Sequence, residues 1–144
     1  MTNPLPHKVY LGLGTNLGDR EANIRQAIQL IGERVGAVVR QSSLIETEPW
    51  GFESPNKFLN AVILCKTEQT PRQVLRLTQQ IERDMGRRKK TGRQYKDRPI
   101  DIDILLYDDI TINEPDLKIP HPLMHERDFV MIPLNEIRHS DISK

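Results

Sequence analysis

The chain has 144 residues, 37% hydrophobic and 28% charged, with 21 Lys and Arg against 20 Asp and Glu for a formal net charge of +1. That length suits one domain over residues 1–144, and the near-balanced charge excludes both a disordered charged tail and a globally basic nucleic-acid binder. No window approaches the roughly 18 consecutive apolar residues of a membrane span, and "MTNPLPHKVYLGLG" lacks a signal-peptide core, so a soluble, cytoplasmic protein is expected.

Along the chain, "KVYLGLGT" has the period of a strand, and "NLGDREANIRQAIQLIGERVG" then places Ile24, Ala27, Ile28, Ile31 and Val35 on one face of a helix. "AVVRQSSLIETEP" and "FLNAVILCKTE" predict two further strands, separated by the turn-rich "PWGFESPNK". The single cysteine, Cys65, lies in this apolar run and is expected in the core of a protein from a reducing compartment. "TPRQVLRLTQQIERDMG" predicts a second helix, with Thr70 as N-cap, Pro71 at the first helical position, Gln73 completing a capping box and Gly86 as the stop. A basic segment, "RRKKTGRQYKD", leads to the strand "PIDIDILLYDD", and a Pro-punctuated tail follows with a short helical stretch in "HPLMHERDFVMIPLNEI". The order β-α-β-β-α-β plus a tail predicts an α+β fold, the ferredoxin-like βαββαβ sandwich with a C-terminal helical tail. Segments 48–58, 86–97 and 113–126 are expected to be irregular, and long ordered loops tend to carry function.

In the strand "PIDIDILLYDD", alternation sends Ile100, Ile102, Ile104 and Leu106 to one face and Asp101 with Asp103 to the other. Two carboxylates held side by side repel and call for a cation. Mg²⁺ suits them, because it takes only one or two protein carboxylates and completes its octahedron with water and phosphate oxygens. Eight of the chain's 21 cationic side chains (Arg83, Arg87, Arg88, Lys89, Lys90, Arg93, Lys96 and Arg98) fall in the sixteen residues running into this pair. Positive charge beside a carboxylate-bound Mg²⁺ is what a polyphosphate requires. The alternative is a non-catalytic, ferredoxin-like RNA-binding module using the basic segment 83–98, although that segment holds one aromatic, Tyr95, and no strand has the aromatic-rich signature of such modules. "GLGTNLG" has the wrong spacing for a dinucleotide fingerprint, so its glycines are read as formers of a sharp strand-to-helix turn. His121 and His125 stand four apart, and one of them is better read as a phosphate or ribose contact than as a zinc ligand. Trp50, Phe52 and Phe58 cluster near Asn60, and with Phe129 of the tail they would suit a flat heterocycle with mixed hydrogen-bonding edges.

Taken in order, "GTNLG", "ETEPWG" with "FLNA", "QQIERDMGR", "RPIDIDILLY" and "IPHPLMHERDFVMIPL" resemble the 6-hydroxymethyl-7,8-dihydropterin pyrophosphokinases of folate biosynthesis, from about Val9 to Ile137. The resemblance implies transfer of pyrophosphate from ATP to the hydroxymethyl group of the reduced pterin, with release of AMP. It implies ATP and the pterin as partners rather than nucleic acid or a membrane, and a monomer is expected. By the same likeness, Asp101 and Asp103 hold two Mg²⁺ ions on the triphosphate, and Arg87 and Arg98 stabilise the reacting phosphates. Gln79, Glu82, Ile104, His121 and Arg127 match nucleotide-side positions. Thr47, Trp50, Asn60 and Asp101 match positions at the pterin edge, and Phe58 and Phe129 match the two rings that sandwich it. The basic segment departs from the family pattern in carrying Lys96 and Asp97 where many members have a Gly-Pro-like pair. It is expected to act as a lid over ATP.

Overall fold

Strict alternation in the first apolar run produces strand β1 (His7–Thr15), which buries Val9, Leu11 and Leu13 on one face while Tyr10, Gly12 and Gly14 occupy the other. The computed structural model describes residues 6–48, 56–86 and 99–142. Trp50, Phe52, Arg87, Arg98 and the rest of the basic segment 87–98 therefore lie outside the described residues.

Gly18, at φ +67°, turns the chain into helix α1 (Arg20–Arg34), and the Asp19 carboxylate caps that helix by accepting from the Ala22 N–H at 3.1 Å. α1 buries Ile24, Ala27 and Ile31. Helix α2 (Pro71–Asp84) starts as its sequence predicts: Thr70 and Gln73 form a reciprocal capping box, and Pro71 fills the first turn, where its missing N–H costs nothing. Gly86 follows the helix at φ +102°, a conformation that favours glycine.

The sheet is built from β1, β2 (Ala37–Gln41), β4 (Phe58–Thr67) and β5 (Asp101–Tyr107) in the order β2-β4-β1-β5, with every neighbouring pair antiparallel. A short β3 (Ile45–Thr47) also pairs with β4. Helices together with an antiparallel sheet make the fold α+β, as expected.

Four details differ from the sequence reading. The expected strand over 37–49 is two pieces, because the Ser42 hydroxyl accepts the Val62 N–H at 2.8 Å, taking a bond the ladder would otherwise use, and Ser43 N turns to Glu136. Within 113–126 a hairpin forms between β6 (Ile112–Glu114) and β7 (Leu117–Ile119), and Arg72 of α2 is paired with Glu114 and Asp116 there. The tail helix, α3 (Asp128–Ile142), runs for 15 residues with Pro133 inside it, preceded by one 3₁₀ turn at Met124–Glu126. Finally, the pairing of β5 with β1 shifts between Tyr10 and Leu11, skipping Leu105, so Leu106 packs on the opposite face from Ile102 and Ile104.

The two faces of the sheet carry separate cores. One packs Val9, Leu11, Leu13, Ile63, Ile102 and Ile104 against α1 and α2. On the other, Tyr10, Val62, Leu64 and Leu105 pack against Met124 and against Val130, Leu134 and Ile137 of α3. α3 covers that second face only in part, and a cleft opens beyond it.

Candidate active site

The residues that floor the cleft follow from the pairing. Gly14 stands opposite Asn60 on β4 and Asp101 on β5, and Gly12 stands opposite Val62 and Asp103. Tyr10, Gly12 and Gly14 share a face of β1, as Asp101 and Asp103 do on β5 and Phe58, Asn60 and Val62 do on β4. Where Tyr10, Val62 and Leu64 continue those rows the face is apolar and covered. Where the rows carry Gly, Asn and Asp it is open.

Both glycines line the cleft from inside β1, which corrects their assignment to a turn: of the three glycines in "GLGTNLG", only Gly18 has the positive φ of a turn glycine. A Cβ on Gly14 would lie 3.1 Å from Asn60 Oδ1 and 3.6 Å from the Phe58 ring, and one on Gly12 would lie 3.5 Å from Leu105. The missing side chains thus create a trough between β4 and β5. Its polar wall is buried: Asn60 is 5% exposed, and its Nδ2 donates to Thr47 Oγ1 at 2.9 Å and to the Ile45 carbonyl at 3.3 Å. Phe58 opens β4 on one side of the trough, and Phe129 and Val130 at the start of α3 stand on the other. The Arg127 guanidinium lies 5.6 Å from the Phe129 ring centroid, close enough for a cation–π contact.

Asp101 and Asp103 are both half-buried on the cleft wall. Among the described residues no three His, Cys, Asp or Glu side chains gather into a group able to cage a metal. Two carboxylates on one strand face, open to a cleft, are the donor set of a hard cation that takes its remaining ligands from water and phosphate, so the residues fit Mg²⁺. His121 lies nearby: its N–H donates to the Leu105 carbonyl at 3.0 Å, and its Nδ1 accepts from the Leu123 N–H at 3.2 Å. Burial pushes the His121 pKa down and the charge of Arg127 adds to this, while Asp101 pulls it back up. Burial thus favours the neutral ring, and with Nδ1 accepting, Nε2 is left as its N–H donor.

Of the expected site residues, Thr47, Phe58, Asn60, Asp101, Asp103, Arg127 and Phe129 converge on this cleft. Ile104 is 6% exposed and faces the α1/α2 core. Gln79 is exposed on α2, and neither it nor Glu82 lines the cleft. The Glu82 carboxylate instead accepts the Ile102 N–H at 2.7 Å. Glu48, absent from the sequence reading, stands on the rim and pairs with Lys57 at 3.5 Å.

Several known proteins are similar to this chain over most of its length. The family model of 7,8-dihydro-6-hydroxymethylpterin-pyrophosphokinase (HPPK) matches residues 10–139. A 2-amino-4-hydroxy-6-hydroxymethyldihydropteridine pyrophosphokinase of Porphyromonas gingivalis is 50% identical over 131 residues, covering 90% of this chain and 89% of its own length. The enzyme of that name from Bacillus subtilis is 43% identical over 129 residues, covering 89% and 76%. Among solved structures, an HPPK-DHPS crystallised in complex with substrates aligns with TM-score 0.74 at 15% identity, covering 93% of this chain and 40% of that one, which shows a shared fold. With a family model spanning most of its length and relatives this close, the chain belongs to the 7,8-dihydro-6-hydroxymethylpterin-pyrophosphokinase family.

Proposed function

We propose that the trough between β4 and β5 is where this chain carries out its family's reaction. As a member of that family, the protein is an ATP-dependent pyrophosphokinase of folate synthesis that transfers pyrophosphate from ATP to 6-hydroxymethyl-7,8-dihydropterin. The observation that carries the location is the single row Asn60–Gly14–Asp101, which sets a buried amide and a carboxylate either side of a residue with no side chain.

In this reading the pterin lies over Gly14 between Phe58 and Phe129, with aromatic faces above and below. The Asn60 amide is oriented by Thr47 and Ile45, so Oδ1 accepts from the heterocycle's N–H edge. The substrate hydroxyl is then held beside Asp101, facing the triphosphate. Asp101 and Asp103 would hold two Mg²⁺ ions together with ATP, and when bound these supply charge neutralisation to the triphosphate. Arg127, and by the family likeness Arg87 and Arg98, add positive charge at the phosphates, and neutral His121 presents Nε2–H as a donor. The hydroxyl oxygen attacks the β-phosphorus in line as the bond from that phosphorus to the α–β bridging oxygen breaks; AMP leaves with that oxygen, the hydroxyl proton passes to solvent, and positioning with electrostatics carries the barrier without a dedicated base.

The strand order β2-β4-β1-β5 with α1 and α2 on one face supports a ferredoxin-like sandwich to which α3 adds the second, partial layer. RNA binding by the basic segment finds no support in the family match or in the named relatives. The test is AMP formation from ATP with and without the pterin. AMP should require both substrates and Mg²⁺, and should be lost in Asp101→Ala and Asp103→Ala while thermal unfolding is unchanged. Near-normal turnover in both variants would refute the location.

A further inference from the structure

The two carboxylates sit on β5, an outer strand of the sheet, and among the described residues no strand pairs with its other edge. Between Asp101 and Asp103 lies Ile102, opposite Leu13 on β1. In an antiparallel ladder alternate residues turn their N–H and C=O away from the partner, and an amide turned outward at an unpaired edge needs another acceptor. The Ile102 N–H has one: it donates to Glu82 Oε2 at 2.7 Å, from a side chain 8% exposed on the last turn of α2. Twenty residues separate the pair, and the bond is short.

Few anchors could act more directly on the spacing of the carboxylates. The peptide plane at Ile102 is the hinge between the backbones of Asp101 and Asp103, and rotation about it changes both the separation and the mutual tilt of the two side chains. Ile102 itself is 7% exposed among the residues packed on α1 and α2, which resists rotation from the side-chain direction. Glu82 resists it from the backbone direction. Its charge matters less than its reach, since any acceptor at that point would satisfy the amide.

We propose that Glu82 is a positioning residue for the reaction: by holding the Ile102 amide from α2, it sets the geometry in which Asp101 and Asp103 together receive a metal–nucleotide complex. The role rests on the carboxylate-pair reading above and deepens it. It also differs from direct contact with ATP, the place family likeness gave to Glu82.

The experiment measures, by calorimetry, binding of a non-hydrolysable ATP analogue with Mn²⁺ present and with excess chelator, in the wild type and in Glu82→Asp and Glu82→Gln. Glu82→Asp keeps the charge but is one methylene too short to reach, whereas Glu82→Gln keeps an oxygen at the right distance. Glu82→Asp should weaken the metal-loaded complex by about tenfold or more and the metal-free complex by less than about twofold, in line with the usual cost of disturbing a group behind a metal ligand. Glu82→Gln should recover most of the loss. Amide exchange at Ile102 should quicken in Glu82→Asp and stay slow in Glu82→Gln. Equal losses with and without metal, as direct nucleotide contact or simple loss of fold would give, overturn the proposal, and so does the absence of any loss. If the wild type itself binds both forms alike, the carboxylate-pair reading falls first. If the wild type discriminates and Glu82→Asp does so equally well, only the positioning role falls.

Discussion

Gly14→Ala separates the demands of folding from those of binding. In a strand interior, exchanging Gly for Ala gains roughly 0.5–1 kcal/mol by restricting the unfolded chain. Against this, the new Cβ would sit 3.1 Å from Asn60 Oδ1, closer than ordinary contact, and Asn60 cannot swing away freely because its Nδ2 is bound to Thr47 and Ile45. A shift of a few tenths of an ångström weakens those bonds by a fraction of the about 1 kcal/mol each contributes, so net stability should change by less than about 1 kcal/mol. Pterin binding has no such compensation. The methyl group fills the trough between Asn60 and Phe58, costing about 1 kcal/mol of stacking and about 1 kcal/mol of hydrogen bonding, or roughly thirtyfold in affinity. Gly12→Ala is the control, since its Cβ would meet Leu105 at an ordinary 3.5 Å. Calorimetric titration with the pterin, alongside thermal unfolding, measures both quantities. Equal pterin affinity in Gly14→Ala and Gly12→Ala, or a Gly14→Ala loss matched by an equal loss of stability, would refute the reasoning.

Two further outcomes are expected. Phe58→Leu and Phe129→Leu should each weaken pterin binding by on the order of 1 kcal/mol while leaving ATP binding intact, as calorimetry with either ligand can check. Because burial and Arg127 lower the folded-state pKa of His121 below its ordinary 6.5, the unfolded chain takes up that proton first; the stability tied to a neutral His121 is complete above pH 6.5 and is lost as pH falls below it. Melting temperatures over this range should therefore drop more steeply for the wild type than for His121→Gln, and parallel curves would remove the assignment.

The parts of the fold set by local chemistry were legible in the sequence: α1 by its apolar face, α2 with its caps, the long strands β1, β4 and β5, and the shared face of Asp101 and Asp103. What required the structure was pairing. That Gly12 and Gly14 share a face of β1 is visible in "YLGLGT", but their opposition to Asp103 and Asp101 is a matter of register. The skipped Leu105 moved Leu106 to the other face, a shift that alternation alone cannot anticipate. Hairpin β6–β7 has strands of three residues, too short for a periodic signal, although Pro115 and Asp116 between the apolar pairs mark its turn. The final helix is longer than the short stretch expected of the Pro-punctuated tail, although Pro133 inside it costs about 3 kcal/mol. Burial of Val130, Leu134 and Ile137 outweighs that cost, at roughly 1.5–3 kcal/mol for each side chain. The bond from Glu82 to Ile102 spans two elements and has no signature in sequence.

The two walls of the cleft proposed to hold the pterin belong to elements that meet away from it. Phe129 is carried by α3, and Asn60 is oriented by Thr47 of β3. α3 and the chain entering β3 are joined at Ser43, whose N–H donates to both oxygens of Glu136 at 3.0 and 3.2 Å and whose hydroxyl donates to Oε2 at 2.8 Å. Glu136 lies nearly two helical turns beyond Phe129 and does not line the cleft. These bonds are exposed, so each contributes modestly to stability. Their geometric effect reaches further, because a helix moves as a rigid rod and a slip at Glu136 is carried to Phe129. Glu136→Ala should accordingly weaken pterin binding a few-fold while leaving metal–nucleotide binding unchanged, since Asp101 and Asp103 are held from β1 and α2 instead. Glu136→Gln, which still accepts from Ser43, should behave nearly as the wild type. Calorimetry with each ligand in both variants measures this directly. A loss shared equally between pterin and metal–nucleotide would mean that α3 steadies the whole sheet rather than one wall of the cleft.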